Sequence, residues 1–431
     1  MITRAALTAL PRLLPMLLAL AAGTGCTSAP SIPGDEEGEE GPGGNAAPGA
    51  PAQNGGTGGA TGIDPNDPSV VDLGEVQAGA EVTFDVPQGT LGFTIVVDGT
   101  VTANDALGVQ DLGDPSGAAV IQDYVDVKEP GRATRGDLGS GVGVVGIPQV
   151  GNHATEAVPA GKWKVKIGGV TGSAKGGKGS ATPFAGKTHA AVRFQTSSDG
   201  TFKGGALDLD LYVPDGLMVG DTGAPHVINA AGAATDAALQ SRLTVAFGMF
   251  KRLYNLDRGD VRYHALPAAI AELGSQEQID AANRLATFVG PRASAQIILV
   301  NRLRPDGDDG GEISGVSNCL PGAVGLPGTR CSAVVVSLRS ETPAWQDAAT
   351  LVHELGHFVG LEHTTEFDGY ADTLSDTPAC TALGKSQLAS CPDHDNLMFP
   401  TVNLATDEPS VAVSATQRAL VQASPLYRAT R

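Results

Sequence analysis

The sequence predicts an all-β sandwich followed by an α+β domain of mixed strands and helices. Three observations predict it. Between residues 69 and 195 short alternating apolar runs are broken by turns. From 205 to 431 apolar residues recur at both helical and strand spacing. Within that second part, a helix opening near Thr342-Pro343 carries two histidines four residues apart. With 431 residues, 41% of them apolar, the chain is long enough for two or three domains with sizeable cores. Its 58 Gly and 28 Pro against 4% aromatic residues favour β-rich modules joined by turns and linkers.

The N-terminus has the form of an export signal. Arg4 and Arg12 accompany the apolar run Leu13–Ala22, which is too short to span a bilayer. The run ends in Gly23-Thr24-Gly25-Cys26, which resembles the lipobox of bacterial lipoproteins, although Gly23 stands where an aliphatic residue is usual. That resemblance implies that the signal, 1–26 with its lipobox Cys26, is cut before Cys26, which becomes the lipidated N-terminus and attaches the protein to a membrane; plain secretion is the alternative, and both place the protein outside the cytoplasm. Residues 27–68 form a linker with the acidic run Asp35–Glu40 and almost no large apolar residue, too polar to offset its ordering entropy. A formal charge of −19 disfavours nucleic acid as a partner, since phosphate binding needs a basic surface, and fits a soluble, self-repelling exported protein; a monomer is expected.

Residues 69–195 read as the sandwich. Val82–Val86 and Trp163–Ile167 alternate, and Phe93–Val97 is an apolar run closed by Asp98-Gly99. No ligand cluster is present there, His153 and His189 being isolated in sequence. In the second domain, 205–431, Leu207–Val213 reads as a strand and 233–255 as a helix with Leu239, Leu243, Ala246, Phe247 and Phe250 on one stripe. Val261–Leu266 follows as a strand, 275–288 as a helix, and Ala295–Val300 and Ser332–Leu338 as buried strands. The loop Asp306–Glu312 between these last two reads as solvated, with calcium as a weaker alternative. Four cysteines remain beyond Cys26; local pairing, Cys319 with Cys331 and Cys380 with Cys391, is the simplest of three connectivities, free thiols being the alternative.

The next helix, opened by Thr342 as N-cap and Pro343 as first residue, carries the chemistry. His353 and His357 lie one turn apart on one face, Glu354 lies beside the first, and Gly360 lets the chain turn so that His363 can swing back. Three neutral imidazoles suit Zn²⁺ and leave a position open for water, while Glu354 can serve as general base. His353-Glu354-Leu355-Gly356-His357-Phe358-Val359-Gly360-Leu361-Glu362-His363 fills every fixed position of HExxHxxGxxH, and the chain resembles the metzincin zinc metallopeptidases. That resemblance implies an α+β catalytic domain with a twisted mixed sheet, an active-site helix and a C-terminal subdomain and, beneath the metal, a Met-turn; Met398, 35 residues after His363, has its place. The segment His363–Cys380 further resembles the pappalysins, which implies Ca²⁺ at Asp372, Asp376 and Thr377 and a Cys380–Cys391 disulfide; Glu366, Asp368 and Gly369 of the same loop would fit such a site. Two departures stand out: the Gly-Gly-Cys after the third His is absent, and Pro400 replaces a Tyr. The resemblance implies a zinc endopeptidase acting on protein or peptide. A silent binding lipoprotein and a zinc amidase acting on cell-wall material are the competing classes.

Overall fold

A computed structural model describes residues 67–99, 105–122, 139–149, 154, 156–171, 182–220, 224–305, 311–339, 342–366, 371–380, 390–401 and 411–429. The export signal, Cys26, nearly all of the linker and Asp306–Asp309 lie outside them. Among the described residues no helix is long and apolar enough to cross a membrane.

The first ten strands make two facing antiparallel sheets. One has the order β1 (Val70–Gln77), β10 (Lys187–Thr196), β3 (Thr90–Asp98) and β7 (Val142–Ile147). The other has the order β2 (Glu81–Val86), β8 (Gly161–Thr171), β4 (Asp105–Gly113) and β5 (Ala119–Ile121), with β6 (Gly139–Ser140) on β4 and β9 (Thr182–Pro183) on β8. The alternation of β8 explains its place: Trp163, Val165 and Ile167 point into the core, where Trp163 meets Phe93 edge-on at 5.1 Å. Lys162, Lys164 and Lys166 point outward and pair with Asp85, Glu81 and Asp111 on the neighbouring strands. His189 is not isolated, since its Nε2 lies 2.7 Å from Asp72 across the β1–β10 pair.

The second half is a mixed six-stranded sheet. Its path runs β14 (Leu256–Leu266), β11 (Gly205–Pro214), β16 (Ala295–Val300), β19 (Ala333–Ser337) and β18 (Gly315–Ser317). The first four are parallel, β18 is an antiparallel edge, and the terminal β20 (Arg428–Ala429) pairs with the start of β11. Short pairs β12 (Leu217–Val219) with β13 (His226–Ile228), and β15 (Glu272–Leu273) with β17 (Arg302–Leu303), decorate it. One face is covered by α2 (Ala237–Tyr254) and α4 (Ala344–Phe358), with α1 (Ala230–Ala233) and α5 (Ala415–Ala423) beside them; the other face carries α3 (Gln276–Arg284). The alternation of β11 divides the two cores: Leu207, Leu209, Leu211 and Val213 join α2 and α4, and Tyr212 joins α3.

The helix and strand positions differ from the sequence reading at their ends. α2 starts after Asp236, whose carboxylate accepts from Leu239 N at 2.9 Å and caps the helix. β14 begins at Leu256, five residues earlier than expected, because it pairs along the whole of β11. Thr342 does not cap α4: its hydroxyl donates to Arg339 O and to Asp347, and Pro343 takes the cap position without a side-chain bond. Asp347 in turn receives Arg242 of α2 at 2.6 Å, and both are buried, so α4 is tied to α2 through an ion pair. β18 and α5 were not foreseen.

The two halves share a core. Val96, Val142 and Val144 pack on the Cys319–Cys331 disulfide, Ala323 and Leu326. Gln195 donates to Tyr427 O at 3.0 Å. Gly92 of β3 has no side chain because α5 lies against it: a Cβ there would be 2.5 Å from Ala423 O and 2.8 Å from Ile147 O. Both are main-chain atoms, so Gly92→Ala forces strand and helix apart and should lower stability by about 1–3 kcal/mol in a denaturant or thermal melt.

Candidate metal centre

His353, Glu354 and His357 are fully buried in α4. The helix ends at Phe358, and Gly360 adopts φ +101°, a value that side chains disfavour, which turns the chain under the helix. Leu361 N then bonds back to Gly356 O at 2.9 Å, and His363 arrives opposite the other two imidazoles. Its Nε2 is 3.2 Å from that of His353 and 3.0 Å from that of His357.

The outer nitrogens explain what these contacts are. His353 Nδ1 donates to Leu397 O at 2.6 Å and His357 Nδ1 to Leu361 O at 2.7 Å. His363 Nδ1 lies 2.7 Å from Glu366 Oε1. A carbonyl oxygen only accepts, so the proton of His353 and of His357 sits on Nδ1. The carboxylate of Glu366 imposes the same tautomer on His363. Three Nε2 lone pairs therefore face one point and have no proton to share. Burial, followed by the repulsion that a second protonated ring beside His363 would meet, pushes His353 down to about 3, and the same causes hold His357 well below the ordinary imidazole range. Neutral imidazoles so arranged fit a cation. Tetrahedral zinc with Zn–N bonds of about 2.0–2.1 Å would space its ligands roughly 3.3 Å apart, close to the separations here. Among the described residues the other triad of ligand types is Cys380, Cys391 and Asp393, whose sulfurs are joined in a disulfide.

Glu354 projects beneath β18. A Cβ at Gly315 would lie 2.6 Å from Glu354 Cγ and 2.7 Å from its Oε1, so only glycine leaves the carboxylate room. Sequence reasoning missed this residue, since three residues of edge strand carry no periodic signal. On the opposite side Met398 is fully buried under Gly356, where a Cβ would be 2.5 Å from its sulfur. Thr364 N donates to Met398 O at 3.0 Å and links this turn to the residue after His363.

Of the expected calcium residues, Asp372 and Thr377 come together: the Thr377 hydroxyl and Leu374 N both donate to Asp372 Oδ1. Asp376 does not join them. Its Oδ2 accepts from Thr416 N at 2.9 Å, at the start of α5. Glu366 is turned to His363, and Asp368 and Gly369 lie outside the described residues. Both disulfides are local, Cys319–Cys331 and Cys380–Cys391, with Cα separations of 5.2 and 5.3 Å.

The sequence model of the M43 peptidase family, described as pregnancy-associated plasma protein-A, matches residues 312–402. That match supports a zinc metallopeptidase. It spans β18, α4, the three histidines and Met398. Among solved structures, archaemetzincin from Methanopyrus kandleri is 18% identical over 51% of this chain and 96% of its own, with a TM-score of 0.30. Metalloproteinase-II from Bacteroides fragilis is 16% identical over 44% of this chain and 53% of its own, with a TM-score of 0.24. A search of curated proteins gave no match.

Asp372 yields a test by pH. Burial raises its carboxyl to about 7, against the bonds from Thr377 and Leu374, with the charges of Glu362 and Asp376 adding to the rise. A folded value above the unfolded one means that this group stabilises fully below about 4 and loses that contribution as pH climbs through about 7. Asp372→Asn cannot ionise. Its melting temperature relative to the parent should therefore rise between pH 4 and pH 8 in chelator, and a constant difference would contradict the assignment.

Proposed function

We propose that this chain is a metzincin-type zinc endopeptidase with His353, His357 and His363 as metal ligands and Glu354 as general base. The observation that carries the reading is the convergence of three buried Nε2 atoms whose outer nitrogens are all engaged, with a carboxylate one residue along the same helix. Zinc bound there would supply a Lewis acid that acidifies a water and polarises a carbonyl. Glu354 is placed to take the proton of that water and return it to the departing amine. β18 is the sheet edge nearest Glu354, so a substrate backbone can add to it as a further strand, with Gly315 opposite the reacting bond. Burial of Glu354 keeps bulk water from competing for its proton.

Residues 1–26 direct export, Cys26 carries lipid, 27–68 tether the folded part, 69–195 form an accessory sandwich and 205–431 the peptidase domain. Calcium at the 372–377 segment is supported by Asp372, whose second oxygen has no hydrogen bond among the described residues. Such an ion should raise the melting temperature of the parent and leave that of Asp372→Asn unchanged.

Casein digestion by the exported full chain, with and without chelator, tests the central reading. Glu354→Gln should keep its zinc by elemental analysis while activity falls by about 10²–10⁴-fold. A zinc-loaded parent that cleaves no protein would favour the silent binding lipoprotein, or the amidase if it releases peptide from cell-wall material. Zinc retained in full by a His353→Ala, His357→Ala double variant would refute the ligand assignment.

A further inference from the structure

The three histidines are held by unlike partners. His353 and His357 each donate Nδ1–H to a main-chain carbonyl, and those carbonyls belong to fixed segments: Leu397 N bonds to Ala412 O at 2.8 Å and Leu361 N to Gly356 O at 2.9 Å. His363 alone is held by a side chain, and a charged one, Glu366 Oε1 at 2.7 Å. We infer that Glu366 is the positioning residue of the third ligand and sets how tightly this centre holds its metal. The inference rests on the zinc reading above.

Two physical effects support it. A hydrogen bond to a carboxylate is about twice as strong as one to a carbonyl, and it draws the Nδ1 proton outward, which raises electron density at Nε2. The carboxylate also brings a negative charge to a pocket whose three imidazoles are neutral. His363 needs such a hold more than its partners do. His353 and His357 are oriented by helix α4, whereas His363 lies on a turn after Gly360.

Glu366 is itself held through its neighbours. Thr364 N is bonded to Met398 O. The hydroxyl of Thr365 donates to Asp393 at 2.7 Å and accepts from Cys380 N at 3.0 Å, and Thr365 makes a bridge with Ala371. Cys380 and Cys391 close that segment, and Asp393 follows two residues later. The disulfide-closed segment thus holds Thr365, Thr365 aims Glu366, and Glu366 holds the ligand.

The test uses the full chain and two variants. Glu366→Gln keeps an acceptor oxygen and loses the charge; Glu366→Ala loses both. Zinc affinity is measured by competition with a chromophoric chelator, and the melting temperature of each metal-free protein is recorded beside it. The expected result is weakening by about tenfold to a hundredfold for Glu366→Ala, with Glu366→Gln between it and the parent. Cobalt-loaded protein should show a shifted visible spectrum in both variants, which a role in folding alone would not produce. Affinities within twofold of the parent, with an unchanged cobalt spectrum, would overturn the inference. If Glu366→Ala does not fold, Glu366→Gln decides by the same two readouts. A parent that binds no zinc would instead count against the zinc reading itself.

Discussion

Three imidazole nitrogens with no proton among them, 3.0–3.2 Å apart in a closed interior, impose the arrangement that the surrounding segments satisfy. Left to themselves they would separate or rotate. They stay because each ring is held from behind, and each hold belongs to a different part of the chain. Leu361 comes from the turn after α4, Leu397 from the Met398 turn and Glu366 from the segment that leads to the Cys380–Cys391 loop. Several features of the second half follow from this need. Gly360 makes the reversal, Gly356 admits Met398 against the helix, and the bond from Thr364 to Met398 joins two of the three holds.

Beyond the centre, α4 is anchored at its start by a costly contact. Asp347 and Arg242 are both removed from water, and burial drives the Asp347 carboxyl up to about 6 in spite of the guanidinium. Arg242 also donates to Gly220 O, Arg339 O and Thr342 O, so one side chain gathers α2, the end of β12 and the approach to α4. At the other end Gly322 packs on Phe358, and Gly322 N donates to Phe358 O at 2.8 Å. Gly322 lies in the Cys319–Cys331 loop, against which Val96, Val142 and Val144 of the first half are packed. The first half therefore braces the loop between β18 and β19 and, through it, the last turn of the helix.

What was legible in the sequence is what depends on local spacing. The four-residue step from His353 to His357, the glycine three residues on and the third histidine are all read along the chain, and so are the two short cysteine intervals. β16 and β19 were visible because both their faces are buried, so their apolar runs are nearly continuous. What escaped depends on contacts far along the chain. Asp376 carries nothing locally that points it to Thr416, 40 residues on, instead of to Asp372. β18 has Gly and Ser at its ends and only Val316 between, so no alternation marks it. Thr342 looks like a cap, but Arg339 O and Asp347 compete successfully for its hydroxyl. α5 reads weakly as a helix because its apolar face is small, and it is secured by the Ser414–Gln417 capping box and by Asn396, which donates to Gln417.

The pairing of β20 with the start of β11 joins positions far apart in the chain: Arg428 lies on Ala206 and Ala429 on Gly205, at the strand around which the second half is organised. α5 lies on β3 and holds the Met398 turn through Asn396. A protease cut before α5 would therefore strip β11 of a partner and release the turn beneath the histidines, so damage at that site would reach the histidine cluster without touching it.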